Sequence, residues 1–466
     1  MSEAFETRLA RQLSRSAAKM LSAFSRTDLV KERVGFHRFI RPAKGSVLAS
    51  PVMAAYDPDP DYFFHWLRDS AVVVDALRLL VEMGEVSREE GAARFADFLS
   101  FSLSISSREG EAFLAAAGDY RAAVEPHFRQ FLRPQEEIAA IRGDDALGEP
   151  RFDPDGALDI LKWSRPQHDG PALRVLAVLR FCASLPPGEA AGEAAAELLR
   201  RDLAFTLARR ALPSFDIWEE ELGRHYYTTL AQGEALRQGG LFLRNCGDPG
   251  AGAELVAAAE EIEAGLDGFW SADKGFVLSR LNGDATRELD IAVVLAAIHA
   301  GRAGGPHSVA DPRLVATLLR LEALFRRAYA LNSTGPGALA PAMGRYEGDA
   351  YYSGGAYFFS TFGAAEFYFR AAEAAARGFV EAAAWRDAGL DSASAGLAGV
   401  LFSRGEAFIA TALASAAPDG DLSEQFDQTS GAQTSAKTLA WSHAAFVSAC
   451  AARRRARAAG ASGGGP

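Results

Sequence analysis

Apolar residues recur at three- and four-residue spacing through almost every long segment of this chain, a period that leaves little room for any fold but a helical one. The pattern runs through 5–24, 71–81, 93–103, 172–183, 194–207, 222–236, 251–269, 291–300, 309–331, 362–376, 395–414 and 434–451. It predicts about a dozen helices. Strand signals are confined to 45–53 (GSVLASPVM) and, more weakly, 275–279 (GFVLS). Of the 466 residues, 49% are hydrophobic and 23% charged, the balance of a chain that can bury a large core. No Pro/Ser-rich linker or shift in composition marks a boundary, so the reading is one all-α domain over 1–451. A basic, then Gly-rich tail over 452–466 reads as disordered, and its Arg453–Arg457 run as a frayed, solvated end with no function.

A net charge of −11 without a basic stripe interleaved with aromatics removes the attraction that drives nucleic-acid and anionic-membrane binding. A neutral substrate fits better. Cys182, Cys246 and Cys450 are too scattered for a disulfide framework or a metal centre and read as buried small apolar residues. No GxxxxGK[ST] occurs and no GxGxxG opens a helix after a strand, so neither a nucleotide nor any other cofactor is expected. Residues 1–26 carry charges throughout, and nowhere do about 18 consecutive apolar residues occur. The expectation is a cytoplasmic monomer.

Five loops carry the chemistry. Asp57–Ser70 is a turn-forming acidic stretch followed by aromatics and an Arg-Asp pair at a helix start, which also suits an N-cap with packed rings. Residues 163–171 compress Trp163, Arg165, Gln167, His168 and Asp169 before a helix. Sugars offer hydroxyls for bidentate hydrogen bonds and C–H faces for rings, so such a loop suits a saccharide subsite; His168 by itself is structural. Residues 214–221 hold Asp216 and three consecutive glutamates, Glu219, Glu220 and Glu221. A charge run is ordinarily a solvated face, but Phe215, Ile217 and Trp218 should bury this one, and burial beside a second carboxylate raises a carboxyl pKa as a general acid requires. Only one of the adjacent glutamates can face a given glycosidic oxygen. Residues 344–357 set Tyr346, Tyr351, Tyr352 and Tyr357 around Arg345, either as a sugar-pocket lining or as rings packed on a helix. Residues 422–442 place Glu424 among hydroxyl and amide groups that would keep it ionised, as a base needs. Two opposed carboxyls are what glycosidic-bond hydrolysis requires.

Taken in order with 45–51 and Gly148-Glu149-Pro150-Arg151-Phe152, these loops resemble the glucoamylases of glycoside hydrolase family 15, especially the catalytic domain of the fungal enzymes. The resemblance spans nearly the whole chain. It implies an (α/α)6 barrel with a pocket that admits the non-reducing end of a glucan, Glu219 as general acid, Glu424 as general base, inversion, and release of β-glucose. Arg68 and Asp69 would hold the glucose in subsite −1 with Arg345 and Trp218, while Tyr62, Trp66 and Tyr351 would line the pocket. Trp163 and Glu220 would reach the leaving sugar, and Asp216 would support the acid's segment. An inverting pair stands ~6.5–9.5 Å apart to admit a water. His168 stands where fungal enzymes usually carry Arg, and Tyr357 where they carry Trp, so the outer subsites are expected to differ. Without an appended starch-binding domain, soluble maltooligosaccharide or glycogen-derived dextrin is the expected substrate rather than granular starch. The alternatives are a relative acting on α-1,6-glucosides or trehalose, and a catalytically silent carbohydrate-binding regulatory protein.

Overall fold

A computed structural model of the protein describes residues 3–186, 192–390 and 396–461. Among these described residues there are sixteen α-helices, twelve of them nine residues or longer. These twelve are Glu3–Leu21, Leu67–Glu82, Arg88–Ile105, Asp169–Ser184, Gly192–Arg209, Tyr226–Asn245, Pro249–Leu266, Ala292–Ala300, Pro312–Ala328, Phe358–Ala376, Leu397–Ala414 and Ala440–Ala458. Each falls on one of the periodic segments, although position 395 of the segment 395–414 lies outside the described residues. Local chemistry fixes several ends. The Ser87 hydroxyl accepts from the Glu90 amide at 3.2 Å, Asp311 caps a helix whose first residue is Pro312, and Gly301 closes another at φ 70°.

The chain divides into two compact units, one of Met1–Lys19, Gly223–Glu234 and Glu260–Pro466, the other of Met20–Leu222 and Ala235–Ala259. In the first, the almost wholly buried Phe358–Ala376 helix packs along both Leu397–Ala414 and Ala440–Ala458. Close approach relies on Gly405, where a Cβ would sit 2.7 Å from the Phe369 ring. By length and composition Leu397–Ala414 could cross a membrane. It carries Arg404 and Glu406, however, which pair with Glu322 and Arg453. In the second unit, Asp169–Ser184 packs against both Leu67–Glu82 and Gly192–Arg209, and Phe95 stacks on Phe181 at 4.0 Å.

Several expectations are corrected. The segment 45–53 is no strand but an extended loop with a single bridge at Val47. Its amides are spent on separate partners, Leu48 on the Ala23 carbonyl, Ala49 on Phe64 and Ser50 on Tyr62, so no ladder can run along it. The 275–279 signal is a two-residue strand, Phe276–Val277, paired with Trp270–Ser271. The hairpin Lys31–Arg33/Arg38–Ile40 was not expected, nor were the helices of eight residues or fewer between 110 and 139, which are too short to show a period. The Arg-rich end is ordered, for Ala440–Ala458 runs through it and Arg453 is buried, each of its 2.6 Å bonds reaching a carboxylate, Glu6 or Glu406. Residues 462–466 of the expected tail lie outside the described residues. Of the cysteines only Cys450 is buried, while Cys182 is half-buried and Cys246 exposed.

Two histidines of the second unit are held neutral by their surroundings. Burial pushes His65 down to about 3, with Arg174 adding to it, and His168 down to about 4, with Arg209 adding to it. Unfolded imidazoles protonate near 6.5. As pH falls from there towards about 4, the unfolded chain takes up protons that the fold refuses, and stability falls with pH. The Val47 amide donates to His65 Nδ1 at 3.0 Å, so protonation there also removes an acceptor. His65→Asn keeps an acceptor without a titrating ring, and its thermal midpoint should depend on pH less steeply than that of the wild type across this window. An identical slope would show that His65 does not contribute.

Candidate active site

The acidic segment is folded by Asp216. Its carbonyl accepts from the Glu219 amide at 3.0 Å, and its Oδ1 accepts from the amides of Glu220 at 2.8 Å and Glu221 at 3.4 Å. The Phe215 amide, bonded to the Pro166 carbonyl at 2.9 Å, and the Ser214 hydroxyl, which accepts from the His168 amide at 3.0 Å, moor this segment to the 163–171 loop. Inside the turn Glu219 has φ 66°, a left-handed conformation that costs a side-chain-bearing residue roughly 1–2 kcal/mol. That backbone turns Glu219 inward and leaves Glu220 exposed.

Three donors meet on the Glu219 carboxyl. Its Oε1 accepts from Trp66 Nε1 at 2.9 Å and from Arg68 Nη2 at 3.1 Å, and its Oε2 accepts from Trp163 Nε1. The Ser164 hydroxyl donates to the Glu219 carbonyl. Trp66 is placed by the two-residue strand His65–Trp66, which pairs antiparallel with Arg151–Phe152. One residue later the Leu67 amide bonds the Pro150 carbonyl at 3.0 Å and the helix begins, presenting Arg68 and Asp69. Gly170 allows this helix start to meet the next one, because a Cβ there would sit 2.6 Å from Leu67 Cβ. Arg68 Nη1 therefore reaches Gln167 Oε1 at 3.0 Å and Asp169 Oδ2 at 3.4 Å.

Asp69 lies 3.4 Å from Arg68 Nη2, and its buried Oδ2 has no hydrogen-bond partner. Burial pushes its carboxyl up to about 6; Arg68 opposes the shift, and Glu219 and Asp169 reinforce it. A buried acceptor left unmet is a group that a hydroxyl-bearing ligand would satisfy. Rings gather beside Glu219. Tyr62 tilts against Trp66 at 5.2 Å, and Trp163, 40% exposed, stands edge-on to Trp66 at 6.2 Å. Trp218 is half-buried on the acidic turn. His168 packs its ring on Phe205 at 5.7 Å, the structural role expected of it.

In the other unit, Ala356–Tyr357 pairs with Gln425–Phe426, which pairs in turn with Gln433–Thr434. Glu424 leads into the middle strand, with its amide on the Ala436 carbonyl at 2.7 Å and its carbonyl accepting from Phe358 at 3.2 Å. The Ser435 hydroxyl, on a residue with φ 61°, donates to Glu424 Oε2. Asp349 clamps Arg345 through Nε at 2.7 Å and Nη2 at 2.5 Å. The rings of Tyr346, Tyr351 and Tyr357 lie 5.2 to 5.4 Å from that guanidinium. Tyr357 also donates to Asp349 Oδ2 at 3.1 Å and accepts from Gln425 Nε2 at 2.6 Å.

Tyr62, Trp66, Arg68, Asp69, Trp163 and Glu219 thus come together in one unit, with Trp218 and Glu220 on the turn that carries Glu219. Arg345, Tyr351 and Glu424 belong to the other. Sequence reasoning passed over Arg151, Ser164 and Asp349. Arg151 lay inside a motif of the resemblance, but nothing in Gly148–Phe152 announces a ring-stacking cation. Among the described residues no three His, Cys, Asp or Glu side chains gather as metal ligands would.

The model of the glycosyl hydrolases family 15 matches residues 29–451. The glucoamylase of Blastobotrys adeninivorans is 26% identical over 465 residues, covering 89% of this chain and 68% of that protein. The probable glucoamylase of Schizosaccharomyces pombe (strain 972 / ATCC 24843) is 26% identical over 426 residues, covering 87% and 84%. Among solved structures, the glucoamylase of Saccharomycopsis fibuligera superposes with a TM-score of 0.76 at 22% identity, covering 97% of this chain and 96% of that one. That likeness shows the fold, the (α/α)6 barrel class that the family resemblance implied. The chain belongs to the glycosyl hydrolases family 15 and is a glycosidase acting on O-glycosyl bonds.

Proposed function

We propose that this chain is a glucoamylase-type, exo-acting glucan 1,4-α-glucosidase that releases β-D-glucose, with inversion, from the non-reducing ends of α-glucans or maltooligosaccharides. The observation that carries the reading is the Glu219 carboxyl, held by two indole N–H groups and a guanidinium beside an exposed indole face and an unsatisfied buried Asp69. Relatives matched over most of this chain are named glucoamylases, which supports an α-glucan as substrate.

In this mechanism Glu219 gives its proton to the glycosidic oxygen as the C1–O bond breaks, and the sugar passes through an oxocarbenium-like state. Glu424 takes a proton from a water on the opposite face, whose oxygen forms the new bond to C1, so the product leaves with the opposite configuration. The Ser435 hydroxyl donates to Glu424 Oε2 and fixes the direction in which that carboxyl points. Asp69 and Arg68 hold hydroxyls of the glucose being released, with Trp218, Tyr62 and Trp66 lining that subsite, and the family resemblance assigns Arg345 and Tyr351 to sugar binding as well. Trp163 stacks on the leaving sugar, and Glu220 binds its hydroxyls. The Asp216 turn positions the acid by holding Glu219 in its left-handed conformation.

Glu424→Gln should lower turnover of maltose and maltoheptaose by at least about 10²-fold, the low end for a lost proton-transfer group, with ligand affinity retained. Glucose release from maltose, isomaltose, trehalose and maltoheptaose measures both activity and linkage. Maltoheptaose and maltose should be the fastest; release from trehalose alone would overturn the linkage, and release from none would overturn the enzyme. Asp69 supplies a second test. Its carboxyl titrates at about 6, so KM should improve as pH rises through that value and the group becomes an acceptor for sugar hydroxyls. Asp69→Asn, fixed in the neutral form, should lose that step, and a variant that kept it would remove Asp69 from binding.

A further inference from the structure

Arg33, Phe64, Arg151 and Trp163 form a column of alternating cations and rings. Arg33 Cζ lies 3.7 Å from the centre of the Phe64 ring, and Arg151 Cζ lies 4.1 Å from Phe64, 3.6 Å from Trp163 and 4.9 Å from Trp66. Arg151 therefore fills the space between a core phenylalanine and two indoles, and it is fully buried. Both of those indoles donate to Glu219. Contact of a guanidinium with an indole face at such a distance, away from water, is at the strong end of cation–π interactions, and only a planar cation can stack this way.

Arg151 is itself held in place. It pairs through Nε with Asp159 Oδ2 at 2.8 Å, and Asp159 also takes Arg165 Nη2 at 3.2 Å and the Leu161 amide at 2.9 Å. Burial alone would raise the Asp159 carboxyl, but Arg151, Arg165 and Arg33 hold it down to about 2, so the tether stays charged at any working pH. Arg165 in turn bonds Glu149 Oε2 at 2.6 Å, and Glu149 accepts from Arg133 at 2.9 Å. Trp163, by contrast, is 40% exposed. A half-exposed indole has little core to lock its rotamer, and what fixes its inner face is Arg151.

We propose that Arg151 is a positioning residue for the reaction: stacked beneath Trp163 and Trp66, it aims both indole N–H groups at Glu219 and presents the outer face of Trp163 to the leaving sugar. This rests on the reading of Glu219 as the acid. One consequence separates it from a purely structural role. A tilt of Trp163 should raise KM more for substrates whose leaving group is long enough to stack on it.

The experiment compares the full chain with Arg151→Met and Arg151→Lys, recording kcat and KM on maltose and maltoheptaose, with circular dichroism as the check on folding. Arg151→Met should lower kcat about tenfold to a hundredfold, the scale of a small misplacement of a reacting group, and raise KM for maltoheptaose more than for maltose. Arg151→Lys keeps the charge but cannot stack flat, so its KM for maltoheptaose should rise as well. A folded Arg151→Met with wild-type kcat and KM on both substrates overturns the proposal. If that variant does not fold, wild-type kcat and KM in Arg151→Lys overturn it instead. Activity surviving in Glu219→Gln would condemn the assignment of the acid, a separate failure, because the effect of Arg151 on KM through Trp163 is read independently of it.

Discussion

Buried guanidinium–carboxylate pairs hold this site in shape. The loops that carry it have almost no regular structure, only two-residue strands and turns, so backbone ladders cannot fix them. Two chains of ions do so instead: Lys31 and Arg33 with Asp61, and Arg33 and Arg38 with Asp153, form one, and Arg151, Arg165 and Arg133 with Asp159 and Glu149 form the other. All but Arg38 and Arg165 are buried. Such pairs add little net stability, since desolvation offsets the attraction, but removing one partner costs about 3–5 kcal/mol because the other charge is stranded. They therefore specify geometry more than they strengthen it. Phe64, between Arg33 and Arg151, joins the two chains, and the stack continues into Trp163.

Each unit also presents its carboxylate by a similar local device. Glu219 sits at φ 66° in a turn tied by Asp216; Glu424 is bonded by Ser435, which sits at φ 61°. Non-glycine residues adopt such angles only where the surroundings over-determine them, and the cost is accepted where a side chain must point against its backbone's preference. The arginines follow the same logic. Arg68 is fixed by Gln167, Asp169 and Glu219, and Arg345 by both oxygens of Asp349. Preorganised in this way, these groups would not have to rearrange in the proposed reaction as charge develops on the sugar.

The helices were legible in the sequence because most of them bury one face and so repeat their apolar residues every three to four positions. The same reasoning failed at 45–53, where a largely apolar string spends its amides on Ala23, Phe64 and Tyr62 rather than on a strand. It failed too for the terminal arginines, because Arg453 finds Glu6 and Glu406, partners that no local pattern reveals. The acidic run was readable as a burial-driven site from Phe215, Ile217 and Trp218, and the structure does turn Glu219 in and Glu220 out. Arg151 was not readable. Its importance lies in which rings stand on either side of it, and those come from positions 64, 66 and 163, joined only by folding.

The account stands or falls on two carboxyls working from opposite faces of one glycosidic bond. Proton NMR of the first glucose released from maltoheptaose, recorded before mutarotation, reads this directly. The account predicts the β-anomer; first appearance of the α-anomer would mean retention and contradict it.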